Sequence, residues 1–295
     1  MIPRFPEFKK LELSDREGVE SFTAQFPPYS DFDFASIWSW DVKGEMGLSQ
    51  LNDNLVIKFT DYITGLPLLS FLGEGDPNDT ARELIKHTAE GSLALVPEVS
   101  VTALDPAIFR IEESREHFDY VCNVANHIEY SDPNLKSHRK LLRQFTATYP
   151  NFEQVPLDMT SEEVRRDVAR VYTQWNEARG FLTVSEAFAY ERFLAGTSTL
   201  PYTAVGVRVN GRLIAFHVAS LPSGTCADAL FSKADTQYRG IYAALDHVVA
   251  LDLIKKEYTH MNIQQDLGIP NLRKAKISLH PEYFLKKYTV SLRPK

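Results

Sequence analysis

The stretch Asn262-Ile263-Gln264-Gln265-Asp266-Leu267-Gly268 gathers three side chains suited to acyl chemistry. Asp266 carries a carboxylate that could orient an acceptor amine or take its proton, and Asn262 and Gln265 offer neutral hydrogen bonds beside it. A plain turn role is the alternative for Asp266, because Gly268 and Pro270 follow and an aspartate there bonds local amides. Acyl transfer requires an uncharged nucleophile, donors for the developing oxyanion and a proton for the leaving group. Much of that can come from backbone geometry, so the lack of a catalytic triad says little against an enzyme.

A second segment, Gln237-Tyr238-Arg239-Gly240-Ile241-Tyr242, is expected between a strand and a helix. It matches the first four elements of the Q/R-x-x-G-x-G/A loop with which GNAT enzymes offer backbone N–H groups to a cofactor pyrophosphate at a helix N-terminus. Tyr242 stands where a small residue would let the phosphates approach, which weakens the case for coenzyme A. Gly240 has the alternative of merely permitting a tight start to the helix. Lys233, expected on the loop before this segment, is either a ligand contact or surface. Arg273 and Lys276, three apart on a short helix, share a face and could hold a phosphate or carboxylate, or form a solvated basic face. Arg139 and Arg143, four apart, could meet RNA or an anionic head group, with interdomain ion pairs as the alternative. Trp175 and Glu191 are expected to pack and pair within helices.

These residues need elements to position them. In the second half Ala204 to Val209 and Leu213 to Ser220 read as strands joined by Asn210-Gly211, a two-residue turn needing positive φ. Cys226 to Ser232 is a third strand, followed by a polar loop from Lys233 to Arg239. The apolar helix Ile241 to Glu257, a strand His260 to Ile263, a short helix from Pro270 and a strand near Tyr288 complete the order. The first half offers a helix after Tyr29-Ser30-Asp31, strands at Leu55 to Phe59 and Leu68 to Leu72, and a helix from Asn78-Asp79-Thr80 through about Glu90. Strands near Val99 to Leu104 and Tyr120 to Val124 follow. Lys136 to Phe145 reads as a basic helix, Asp158 to Ser161 caps a helix to about Arg179, and Ser185 to Leu194 makes another.

The segment Asn262 to Lys276, continuing Ser278-Leu279-His280-Pro281, resembles a bacterial family named for the C-terminal domain of phosphatidylglycerol lysyltransferase. Asp119-Tyr120, His138-Arg139 through Phe145, and Phe231-Ser232-Lys233-Ala234-Asp235 leading to Gly240-Ile241-Tyr242 carry the likeness across nearly the whole chain. The resemblance implies an α/β chain of tandem GNAT-like acyl-CoA N-acyltransferase folds, with mixed sheets flanked by helices, divided here into 1–145 and 146–295. It implies kinship with enzymes that move an aminoacyl group from tRNA onto lipid or peptide amines and hydroxyls. The donor would be aminoacyl-tRNA or acyl-CoA, and the acceptor a small-molecule, lipid or peptide amine. Gln265 stands where the commoner pattern has an acid, and Lys140 where it has Asn. An ordinary acetyl-CoA-dependent N-acetyltransferase is one rival; a noncatalytic ligand-binding protein on the same fold, suggested by Tyr242 and Gln265, is the other.

Composition sets outer bounds. A hydrophobic fraction of 44% beside 24% charged residues is that of a globular chain able to bury a core. Cys122 and Cys226 have no CxxC partner, and the eight histidines show no metal-ligand spacing, so disulfide frameworks and metal sites have no support. Neither a secretory signal nor a membrane span is legible, so a cytoplasmic protein that is not an integral membrane protein is expected. The net charge of −7 argues against a protein that coats nucleic acid. From Asn262 to Lys295, however, seven Lys/Arg face two acids, leaving +5, so a polyanion could be held locally. If the helix Ile241 to Glu257 links two parallel strands, the segments Asn262 to Arg273 and Lys233 to Tyr242 should meet across one cleft.

Overall fold

The computed structural model describes residues 1–60, 65–179 and 184–294. Strands β1 (Lys9–Lys10), β2 (Gly47–Leu51), β3 (Asn54–Thr60) and β4 (Pro67–Leu72) form an antiparallel sheet in that order. Helices α1 (Arg16–Thr23) and α2 (Phe34–Trp40) lie between β1 and β2. The cap of α2 is Asp33, whose side chain accepts the Ser36 amide at 2.8 Å, rather than Ser30 or Asp31. Helix α3 (Pro77–Ile85) is shorter than expected, with Asp76 as its cap and Pro77 in the first turn. Residues 99 to 104 are not a strand. The strand is β5 (Ser92–Pro97), and Pro97, extended at φ −61° and ψ 146°, turns the chain into the short helix α4 (Glu98–Val101).

The order expected for the second half is found, with two further strands that were not expected, at 153–156 and 283–285. After β6 (Phe109–Glu113), β7 (Asp119–Asn123), α5 (Asn126–Glu129), α6 (Lys136–Thr148) and β8 (Glu153–Pro156) come helices α7 (Glu162–Arg179) and α8 (Val184–Gly196). The meander β9 (Tyr202–Val209), β10 (Arg212–Ser220) and β11 (Cys226–Ala234) follows, then α9 (Ile241–Lys255), β12 (His260–Asn262), α10 (Pro270–Ser278), β13 (Tyr283–Leu285) and β14 (Lys287–Leu292). Asn210 and Gly211, at φ 52° and 76°, make the β9–β10 turn. The central sheet runs β13-β7-β12-β11-β10-β9-β8, with β11 and β12 parallel. One face is covered by α9 and α6, with Phe145, Val207, Ala244 and Val248 in the core; the other meets α2, α7 and α8 through Phe34, Val171, Phe193 and Phe231.

Two strands cross the division expected near residue 145. β7, from the first half, sits between β12 and β13 of the central sheet, and β14 is the middle strand of the β5-β14-β6 sheet. At the root of this exchange lies Lys287, which is fully buried. Its Nζ donates to Asp119 Oδ1 at 2.7 Å and to Ser30 Oγ at 3.3 Å, and it forms an ion pair with Asp31. Asp119, also fully buried, accepts the Ser30 amide at 2.8 Å and the Ser30 hydroxyl at 2.7 Å. Burial works against the lysine's charge, but Asp119 and Asp31 outweigh it and leave its pKa above the usual range. Replacing one partner of such a group strands the other in low dielectric. Lys287→Met should therefore lower unfolding stability by about 3–5 kcal/mol in urea titrations, and a loss under about 1 kcal/mol would show that the network is not structural.

Candidate functional site

Asp266 sits midway along the loop that leaves β12, with no exposed surface. Its Oδ2 accepts the Tyr120 hydroxyl at 2.5 Å, Arg273 Nε at 2.9 Å and Arg115 Nη1 at 3.2 Å; its Oδ1 accepts Arg273 Nη2 and the Gly268 amide, both at 2.9 Å. The Arg115 guanidinium lies 4.9 Å from the Phe284 ring and 5.2 Å from that of Tyr120, and donates to the Tyr120 hydroxyl at 2.9 Å. Burial would raise the Asp266 pKa, but the bonds from Arg273, Tyr120 and Gly268 prevail and hold it below the usual carboxylate range. A carboxylate so stabilised is a weak base with no oxygen free for an acceptor amine. The expected base is thus a buttress, and Arg273, expected to hold a phosphate, is one of its two arms.

The neighbouring candidates are also committed to the fold. Asn262 is buried, its amide donating to the Pro28 carbonyl at 2.9 Å and its oxygen accepting the Gln264 amide at 2.8 Å. Gln265 donates from Nε2 to Asp31 Oδ1 at 2.7 Å and accepts His117 Nδ1–H at 2.9 Å. Lys276 points inward from α10 and donates to the Ile263 carbonyl. Burial pushes its pKa down to about 8, although Asp119 and Asp228 draw it back. Among the described residues no carboxylate lies within ion-pair distance of it, and its lowered pKa suits it to exchange a proton near neutral pH.

The second segment lies elsewhere. Lys233 is in β11, not on the following loop; it is buried, pairs with Glu186 Oε1 at 2.6 Å and lies 4.0 Å from the Trp175 ring centre. It ties β11 to α7 and α8, which gives Trp175 a partner outside its own helix. Gln237 is exposed, with its backbone N–H donating to Asp235 Oδ1 at 3.0 Å, and Tyr242 is exposed in the first turn of α9. Gly240 has φ 86°, and a Cβ there would stand 2.5 Å from the Leu141 carbonyl of α6. Close packing of α6 thus accounts for the glycine without a cofactor. Asp266 is surrounded by Tyr120, Arg115 and Arg273, and Lys233 by Glu186 and Trp175, so the two side chains expected to face one cleft are each held by partners of their own.

An open groove of about 540 Å³ runs along α10, lined by Gly268, Pro270, Arg273, Lys274, Ser278 and His280. His138 of α6 meets it, with Nε2 3.3 Å from Ser278 Oγ. Past His138, Lys136, Lys140 and Arg143 are exposed and Arg139 is half-buried, while Leu142 and Phe145 face the α9 core. None of these four cations makes an ion pair among the described residues, so the interdomain pairs expected of Arg139 and Arg143 are not made.

Residues 23–291 match the family described as phosphatidylglycerol lysyltransferase, C-terminal. The chain belongs to that family. A conserved protein of unknown function from Bacteroides thetaiotaomicron VPI-5482 is 26% identical and superposes with a TM-score of 0.84, over 99% of this chain and 100% of that one. L-PGS from Bacillus licheniformis is 13% identical with a TM-score of 0.64, over 100% and 95% of the two chains. A tandem GNAT protein from the clavulanic acid biosynthesis pathway is 11% identical with a TM-score of 0.50, over 98% and 99%. No curated protein matches the sequence. The fold is therefore the mixed α/β, tandem GNAT-like arrangement.

Tyr120 lies in a segment that carries the sequence resemblance, whereas nothing in the spacing marks Arg115, Asp31 or His117. Because the Asp266 pKa is lowered on folding, its contribution is fully present above the ordinary aspartate value, about pH 4, and is lost as pH falls through the lower folded value. Asp266→Asn should lower stability at neutral pH by about 1–3 kcal/mol, and flatten the acid limb of the stability profile measured by urea unfolding. An unchanged acid limb would show that the carboxylate carries no such load.

Proposed function

We propose that the protein transfers an aminoacyl group from aminoacyl-tRNA to an amine or hydroxyl on a small molecule, lipid or peptide. The observation that carries this reading is the exposed basic face of α6, four cations without acid partners in a chain of net charge −7, bordering the α10 groove. A face of this kind suits a polyanionic donor. In the reaction the acceptor nitrogen or oxygen attacks the ester carbonyl, the bond between the acyl carbon and the ribose oxygen breaks, and the proton lost by the acceptor ends on the ribose hydroxyl. Lys276, with its pKa near 8, is the side chain suited to relay that proton. The family description names a lipid acceptor, and among the described residues no helix is long and apolar enough to cross a membrane. A lipid would then have to present its head group to the protein at the bilayer surface.

Acyl-CoA is the weaker donor because α6 fills the space beside Gly240 and Tyr242 occupies the first turn of α9. A ligand-binding protein without turnover is favoured by one observation, the full engagement of Asp266 and Gln265 in structural bonds. Filter-binding titrations with deacylated tRNA and with coenzyme A, at low and moderate salt, separate these readings. For tRNA the affinity should fall steeply with salt, and in the double variant Lys140→Glu/Arg143→Glu the log–log slope should shrink by about 1.5. Coenzyme A should bind weakly. Tight, salt-insensitive coenzyme A binding would restore an ordinary acetyltransferase, and no binding of either would favour the noncatalytic protein.

A further inference from the structure

Ser220 and Asp228 stand directly opposite each other in the antiparallel β10–β11 pair, so their side chains share one face of the sheet. They are 1% and 3% exposed; Asp228 Oδ1 accepts no hydrogen bond, and the Ser220 hydroxyl, with Asp33 beside it, keeps its oxygen lone pairs without a donor. The second oxygen of Asp228 accepts Gln264 Nε2 at 2.8 Å. Buried acceptors without donors are costly and uncommon. Asp33, at the start of α2, completes the group. One of its oxygens caps the helix, and the Ser220 hydroxyl is near enough to offset part of the rise that burial imposes on its pKa, which reaches about 6.

The surroundings are electronegative. Asp228 is driven well above the usual carboxylate range by burial first and then by the charges of Asp33 and Asp119. The Cys226 thiol is pushed up to about 12 by burial and by Asp228, and Tyr258 is raised by burial and by Asp33. The cations whose fields reach Asp228 are occupied elsewhere: Lys287 pairs with Asp119 and Asp31, and Lys276 bonds the Ile263 carbonyl. Among the described residues no ion pair reaches Asp33 or Asp228.

The geometry points to a binding site for a primary ammonium group, R–NH3+, held by Asp228 Oδ1, Ser220 Oγ and the Asp33 carboxylate. An ammonium brings three N–H donors and so can answer three acceptors at once. A guanidinium fits less well, since its fork seeks both oxygens of one carboxylate and Gln264 already holds one of them. A quaternary ammonium has no donor to give. Among the described residues no group of three His, Cys, Asp or Glu is arranged to hold a metal ion. The site stands independently of the transfer reading, though an aminoacyl donor or an amine acceptor would each bring such a group.

Three probes differing in charge and donors test it by thermal shift and calorimetry in buffer well above neutrality: n-propylammonium, tetramethylammonium and n-propanol. Only n-propylammonium should raise the melting temperature and bind. Asp228→Asn keeps an acceptor for Gln264 while removing the charge, and Ser220→Ala removes one acceptor without changing charge. Affinity should fall about tenfold or more in the first and several-fold in the second. If Asp228→Asn does not fold, the Ser220→Ala comparison carries the test. Equal responses to the three probes, no response to n-propylammonium, or unchanged affinity in the variants would overturn the site and leave a water or a shared proton between the carboxylates. A failure of tRNA binding leaves this measurement untouched.

Discussion

A lysine with no exposed surface must be met by opposite charge, and Lys287 is met by carboxylates from two distant stretches of chain. Asp31 precedes α2, Asp119 begins β7, and Lys287 begins β14. None of these segments can shift alone without leaving charge unanswered in low dielectric, so docking one fixes the others. The constraint passes outward through Asp31, whose other oxygen takes the Gln265 amide, and from there to Asp266, the next residue in the chain. The loop after β12 is thereby held in a conformation with Gln264 and Leu267 at positive φ, which neither would adopt unaided.

The same logic sorts the positive charges. In the basic C-terminal segment, Arg273 serves Asp266, Lys286 pairs with Glu113 at 2.9 Å, Lys287 is engaged as above, and Arg293 donates to the Pro106 carbonyl at 2.7 Å. Much of the +5 counted along the sequence is therefore answered from within. Among the described residues the four cations of α6 make no ion pair, and the apolar side of that helix is occupied by α9. A helix with its hydrophobic face committed and its charged face bare has no apolar side chains with which to enter a bilayer, so phosphates are a better match to it than a membrane interior.

Short-range chemistry was legible in the residues. The Asn210-Gly211 turn, the apolar α9 and the parallel pairing of β11 with β12 follow from φ preferences, periodicity and crossover geometry, and the local turn role of Asp266 is visible in its bond to the Gly268 amide. What escaped were partnerships across the chain. Asp119 and Lys287 are 168 residues apart, and Ser30 and Asp119 are 89 apart. Periodicity reports which face of an element is buried but not what it is buried against. Lys233 shows the difference: its charge suggested a loop, whereas the strand continues through it because Trp175 and Glu186 wait on the facing helices.

The place of β14 bears on how the chain is made. It follows every other strand, yet it lies between β5 and β6 and is the neighbour each of them bonds. During synthesis the first half leaves the ribosome with two strand edges that cannot satisfy one another. Chains of several domains commonly fold their N-terminal part first, and here that part lacks its middle strand until residues 287–292 emerge. Open edges are templates for pairing with the wrong chain. Until the second half has been translated, those two edges stand without the strand that joins them.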